Sequence, residues 1–111
     1  MSYKKIITSI VIITISACSS VDLSKITLIP SAQMTAMGIS SFEEMKTTLP
    51  INTDIKTNRY VSCVANAITD QVAPSEFDGQ WEVVVFKSDD INAFALPGGK
   101  IGVYTGILDV A

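Results

Sequence analysis

Residues able to do chemistry are scarce in this sequence. Its 111 residues include no histidine and only two cysteines, Cys18 and Cys63. Without an imidazole there is no side chain whose ordinary titration falls near neutrality, and none of the commonest metal ligands. Asp89 and Asp90 stand together after an apolar run. Two adjacent carboxylates suit a hard cation only when several more oxygen ligands join them, and no histidine is present to join them either. Asp-Asp in that position is read as turn chemistry instead. The most distinctive run is NAFALPGGKIGVYTGIL, from Asn92 to Leu108, which carries one lysine and a Pro-Gly-Gly corner between two apolar stretches.

Cys18 belongs to a separate pattern at the start of the chain. Lys4 and Lys5 precede Ile6–Ser16, eleven residues without a charge. A helix crossing a bilayer needs about 20 apolar residues, so this run has the proportions of a secretory signal rather than a span. Ile15-Ser16-Ala17-Cys18 resembles the bacterial lipobox. That resemblance implies cleavage before Cys18 and attachment of lipid to its thiol, with two or more acyl chains giving stable membrane anchoring. Ser19 in the following position points, by the same resemblance, to the outer membrane facing the periplasm. Loss of residues 1–17 removes two lysines and leaves the mature chain more acidic than the formal net charge of -3. Such a chain is not expected to bind nucleic acid, and it has no basic patch for lipid headgroups. The membrane contact is therefore expected through Cys18 alone. With Cys18 lipidated, Cys63 has no partner in the chain, which leaves a buried thiol or a partner elsewhere.

The elements that would hold the distinctive run follow from periodicity. Residues 1–17 are the signal, 18–30 a tether ending in Pro30, and 31–111 a single folded region. Ser31–Leu49 is expected to be helical with a break at Gly38, Ser31 capping the first turn and Ser41 restarting the helix. Met34, Met37, Phe42 and Met45 are its expected core residues. Asn52–Val72 is the strongest helix, capped by Asn52, Thr53 or Asp54. Tyr60, Val61, Val64, Ala67, Ile68 and Val72 recur on one face, with Cys63 and Ala65 bordering it. Lys56, Arg59 and Asp70 fall on the solvated side.

From Trp81 the period shortens, and Trp81–Phe86 is expected as an interior strand covered on both faces. Asn92–Leu96 and Lys100–Thr105 form two more strands, joined at Pro97-Gly98-Gly99 in a tight hairpin. Ile107-Leu108-Asp109 opens a further helix. The fold class is thus α+β, with helices leading into a small sheet.

Asn92, Ala93, Phe94, Ala95, Pro97, Gly98, Gly99, Gly106 and Leu108 together resemble the segment just upstream of the HExxH helix in zinc metallopeptidases of the HtpX and CAAX-prenyl-protease kind. The likeness extends to their small periplasmic, lipid-anchored members. It implies the start of a gluzincin-like peptidase domain acting on polypeptides of the cell envelope. In that family an edge strand pairs with extended substrate through main-chain hydrogen bonds. The resemblance places Asn92, Ala93, Phe94 and Ala95 at or near that substrate edge and Pro97, Gly98 and Gly99 in its hairpin turn; the other reading of these residues is that they build the hairpin and pack the zinc helix from beneath. Zinc is the family's cofactor. Its two histidines and two glutamates have no counterparts here, so no catalytic or metal residue carries over and none of these residues is expected to bind zinc. The chain reads as the N-terminal part of such an enzyme, from a fragment or an interrupted gene, with no activity of its own. The alternative is a non-enzymatic envelope lipoprotein acting as a binding or structural module.

Overall fold

The computed structural model describes residues 29–111, so the expected signal, Cys18 and nearly all of the expected tether lie outside the described residues. The elements are α1 (Ser31–Thr48), α2 (Ile55–Thr69), β1 (Glu82–Phe86), β2 (Ala93–Leu96), β3 (Lys100–Tyr104) and a 3₁₀-helix at Thr105–Asp109. The α+β expectation holds: two helices precede a small mixed sheet.

α1 runs unbroken through Gly38, and Ser41 lies in its interior. The expected break is absent because tertiary packing outweighs the weak helix propensity of glycine, which costs about 1 kcal/mol. Gly38 is buried, and the neighbouring chain lies where a side chain would stand. Ser31 is not the cap. Pro30 holds that position and its carbonyl accepts from the Gln33 and Met34 amides. Of the four expected core residues only Phe42 is fully buried. Met34 and Met37 are 45% and 54% exposed, and Met45 is half-buried. The helix docks along a narrower stripe than its apolar composition suggested, running through Gly38, Phe42, Lys46 and Leu49.

α2 is capped by Asp54, whose carboxylate accepts from the Thr57 amide at 2.8 Å. These bonds hold the Asp54 carboxyl below its usual range. The helix ends at Thr69, short of the expected Val72. Val61 and Ala65 are its buried residues, so Ala65 is central rather than bordering. Tyr60, Val64, Ala67 and Ile68, expected on the buried face, are exposed, because α2 packs chiefly against β1. Cys63 is a free, exposed thiol, which removes the buried reading. Lys56, Arg59 and Asp70 face solvent as expected.

Among the described residues the sheet order is β1-β3-β2. β1 is therefore not an interior strand; it lies beside β3 in parallel. Its continuous apolarity has another cause. Val85 and Phe86 point to opposite faces, yet both are at most 1% exposed, so α1 and α2 cover that end from both sides. On its outer side Ile51 forms a bridge with Phe86, and the Asn52 amide donates to the Val85 carbonyl at 2.8 Å. Trp81 stands just before the strand, edge-on to Phe77 with ring centroids 4.6 Å apart.

The alternation of side chains along strands sorts the sheet into two faces. One carries Glu82, Val84, Phe86, Phe94, Leu96, Lys100, Gly102 and Tyr104, and α1 covers it. Phe42 of α1 meets Phe86 edge-to-face at 6.0 Å, and Tyr104 takes both Phe86 and Phe94 in the same manner. The other face carries Val83, Val85, Ala93, Ala95, Ile101 and Val103. The expected further helix is realised as the 3₁₀-helix, starting at Thr105 and tied back by the Gly106 amide donating to the Ser88 carbonyl at 2.7 Å.

Candidate functional site

β2 and β3 form the expected hairpin around Pro97-Gly98-Gly99, pairing Ala93 with Val103, Phe94 with Gly102, Ala95 with Ile101 and Leu96 with Lys100. Gly98 and Gly99 take φ angles of +93° and +72°, which only glycine adopts without cost. Asn92 lies just outside the strand and its carbonyl accepts from the Tyr104 amide at 2.9 Å.

That one bond fixes the phase of the whole ladder. In an antiparallel pair, residues that exchange hydrogen bonds alternate with residues that do not. Since Asn92 bonds to Tyr104, Phe94 and Leu96 are the next residues turned toward β3. The backbone N–H and C=O groups of Ala93 and Ala95 must then point away from β3. On that side no strand is paired among the described residues. The edge is uncharged over its length, and Ala93 and Ala95 are both exposed. None of the usual guards against edge pairing interrupts Ala93–Leu96, whether a charge, a proline or a bulge.

An apolar trough of about 400 Å³ adjoins this edge. Ala93, Ala95, Ile101 and Val103 form its floor, and Tyr60, Val64 and Ile68 of α2 form one wall. It exists because α2 covers the β1 side of this face and leaves the hairpin side open.

Behind the edge, on the α1 face, sits a polar cluster that the sequence did not reveal. The Glu82 carboxylate accepts from Lys46 and Lys100, each at 2.6 Å. Lys46 also pairs with Glu43 at 2.7 Å and lies 5.6 Å from the centre of the Phe42 ring. Lys100, then Lys46, hold the Glu82 carboxyl below its usual range, and the bonds to Glu43 and Glu82 raise Lys46. Glu82 and Lys100 are direct partners in the β1–β3 register, a signal available only once that parallel pairing is known.

Asp89 and Asp90 are exposed turn residues, as read from the sequence. Their carbonyls pack against Gly106, where a side chain would collide with them. Among the described residues no three His, Cys, Asp or Glu side chains come together as a metal site. With no histidine in the sequence, the residues present do not fit a zinc centre of the HExxH type.

Comparison with known families gives one result. The model of peptidase family M48 matches residues 55–111, from the first turn of α2 through the sheet to Ala111. No curated protein matches the chain.

Proposed function

The chain belongs to peptidase family M48, and on that premise we propose that β2 is its substrate-binding edge. An extended polypeptide would add to the sheet there, exchanging hydrogen bonds with the main chain of Ala93 and Ala95. Phe94, packed against Tyr104, holds the strand in register, while Asn92 anchors its start and Pro97-Gly98-Gly99 fix its end. The observation that carries this reading is the ladder phase, which leaves both alanine backbones without a partner strand among the described residues, inside the family-matched span. Recognition through the main chain suits a peptidase, since it is indifferent to most of the substrate's side chains.

The family's metallopeptidase chemistry needs zinc ligands that these residues do not include. The 111-residue chain accordingly binds extended peptide without cleaving it. We further propose the HtpX-like, lipid-anchored branch of the family, with Cys18 acylated, the domain facing the periplasm from the outer membrane, and envelope proteins as substrates.

The test is titration of the 15N-labelled domain with acetyl-(Val-Thr)3-amide. The expected result is perturbation of the Ala93 and Ala95 amides ahead of those of β1. Perturbation elsewhere, with these two amides still, overturns the edge assignment. Chelator-sensitive hydrolysis of casein by the purified chain would contradict the absence of cleavage. A Cys18→Ser variant should lose incorporation of labelled palmitate in a bacterial host, and retained label would refute the anchor.

A further inference from the structure

We infer that Gly38 of α1 is a positioning residue for the β2 edge, clamping the hairpin turn from outside the family-matched segment. The inference rests on the reading of β2 as the substrate edge.

The clamp has two jaws. On one side α1 lies against β2 and β3, and its backbone at Gly38 touches the turn. A methyl group added at Gly38 would overlap the Pro97 carbonyl oxygen and come within 2.9 Å and 3.0 Å of the Pro97 carbonyl carbon and nitrogen. All three are backbone atoms, so no rotamer change relieves the contact. The next residue, Ile39, closes over Gly98, where an added Cβ would stand 2.9 Å from its Cγ1. On the other side the Phe77 ring fills the space beside Gly99. Both turn glycines hold left-handed φ angles, so the turn has one defined shape to be gripped.

Ala95 lies two residues from Pro97, about 7 Å along the strand. A turn displaced by α1 therefore carries the edge with it. Restoring ordinary van der Waals separation around a residue-38 methyl requires the Pro97 carbonyl to retreat by more than about 1 Å. Binding sites lose function at misplacements of about 0.5 Å. β1 touches the turn at one point, where the Glu82 amide donates to the Gly99 carbonyl, and beyond it β1 and β3 are held together by the parallel register up to Phe86 and Tyr104, whose rings also meet. The displacement thus falls mainly on β2, the strand that leads into Pro97.

The experiment titrates acetyl-(Val-Thr)3-amide into the wild-type chain and the Gly38→Ala, Ile39→Ala and Ser40→Ala variants. Affinity is read from the Ala93 and Ala95 amides, and fold integrity from β1–β3 cross-strand contacts in the same spectra. Gly38→Ala should weaken binding by about fivefold, the equivalent of one backbone hydrogen bond, with β1–β3 contacts intact. Ile39→Ala, which only loosens one jaw, should weaken it by about twofold by the same reasoning. Ser40→Ala, exposed on α1, should change nothing. Wild-type affinity in Gly38→Ala, with β2 amides unmoved, overturns the clamp. If Gly38→Ala does not fold, Ile39→Ala decides, and wild-type affinity in it overturns the clamp equally. If wild-type Ala93 and Ala95 never respond to peptide, the edge assignment falls first and the clamp with it.

Discussion

Proline substitution at two neighbouring positions of β2 separates the ladder from the edge. Proline removes one backbone N–H and nothing else from the hydrogen-bond inventory. At Ala95 that N–H points away from β3, so the ladder keeps every bond. Phe94, the residue before it, is already extended, as a residue preceding proline prefers. Edge strands accommodate proline when its missing donor faces outward. At Phe94 the missing donor is the one directed at Gly102, whose carbonyl would be left unpaired in a buried position. That costs about 1–3 kcal/mol, to which strain at the neighbouring pairs adds. In a domain of this size each 1 kcal/mol moves the melting temperature by about 4–8 °C.

Ala95→Pro should therefore melt within a few degrees of wild type. Phe94→Pro should melt about 10 °C or more below Phe94→Ala, the comparison that removes the contribution of the ring. Peptide binding should show the reverse contrast. Ala95→Pro loses one ligand hydrogen bond, about fivefold in affinity, and its ring stands in the path of the added strand, so the total loss should reach about tenfold or more. Thermal melts by circular dichroism and peptide titration by NMR supply both readouts. If Ala95→Pro melts as low as Phe94→Pro, the ladder phase has been assigned backwards. If Ala95→Pro binds peptide as wild type does, the site is not this edge.

Three further outcomes follow from the packing. Phe42 is fully buried between Phe86 and the Lys46 ammonium, so Phe42→Ala should cost about 3–5 kcal/mol and lower the melting temperature by more than about 12 °C; a drop below about 5 °C would show that α1 does not anchor there. Glu82 has its carboxyl held below the usual glutamate range by Lys100 and Lys46. Its contribution is present above the unfolded-state value and is lost as pH falls through the lower folded value. The melting-temperature gap between wild type and Glu82→Gln should thus be widest at neutral pH and shrink below pH about 4, whereas a gap that grows on acidification contradicts the pairing. Cys63 in a Cys18→Ser background should react with a maleimide in the native state as fast as in urea, since its side chain is exposed, and native protection would mean that something covers α2.

What the sequence disclosed and what it withheld divide along a physical line. Strand and hairpin positions were legible because β-branched runs and a Pro-Gly-Gly corner act locally. Asp54 as cap was likewise within reach, because its partner is three residues away. Gly38 misled, since its propensity argues for a break while its function is to let Pro97 approach from 59 positions later in the chain. Met34 and Met37 misled for a related reason: apolar composition predicts burial only where a neighbour exists, and α1 meets the sheet along one stripe. Strand order was withheld altogether. The apolar run of β1 suggested an interior strand, yet the same run arises at a sheet margin when helices seal both faces. Glu82 and Lys100, 18 positions apart, meet only through the β1–β3 register.

The candidate site has no reactive side chain, and this is a consequence of how an edge strand works. What β2 offers is a spacing of donors and acceptors, so its information lies in the positions of Ala93 and Ala95 and not in their side chains. Small side chains there serve by leaving the backbone approachable. Precision must then come from whatever holds the strand, and the supports are distributed: Asn92 bonded to Tyr104 at one end, the glycine turn gripped by α1 at the other, and Phe94 seated over Gly102 in between. Each support lies on the side of β2 that faces into the domain. The opposite side is left free of charge, proline and bulge, at the risk of unwanted pairing that exposed edges carry. A strand so firmly fixed on one side and so unguarded on the other is better suited to receive an extended chain than to end a sheet.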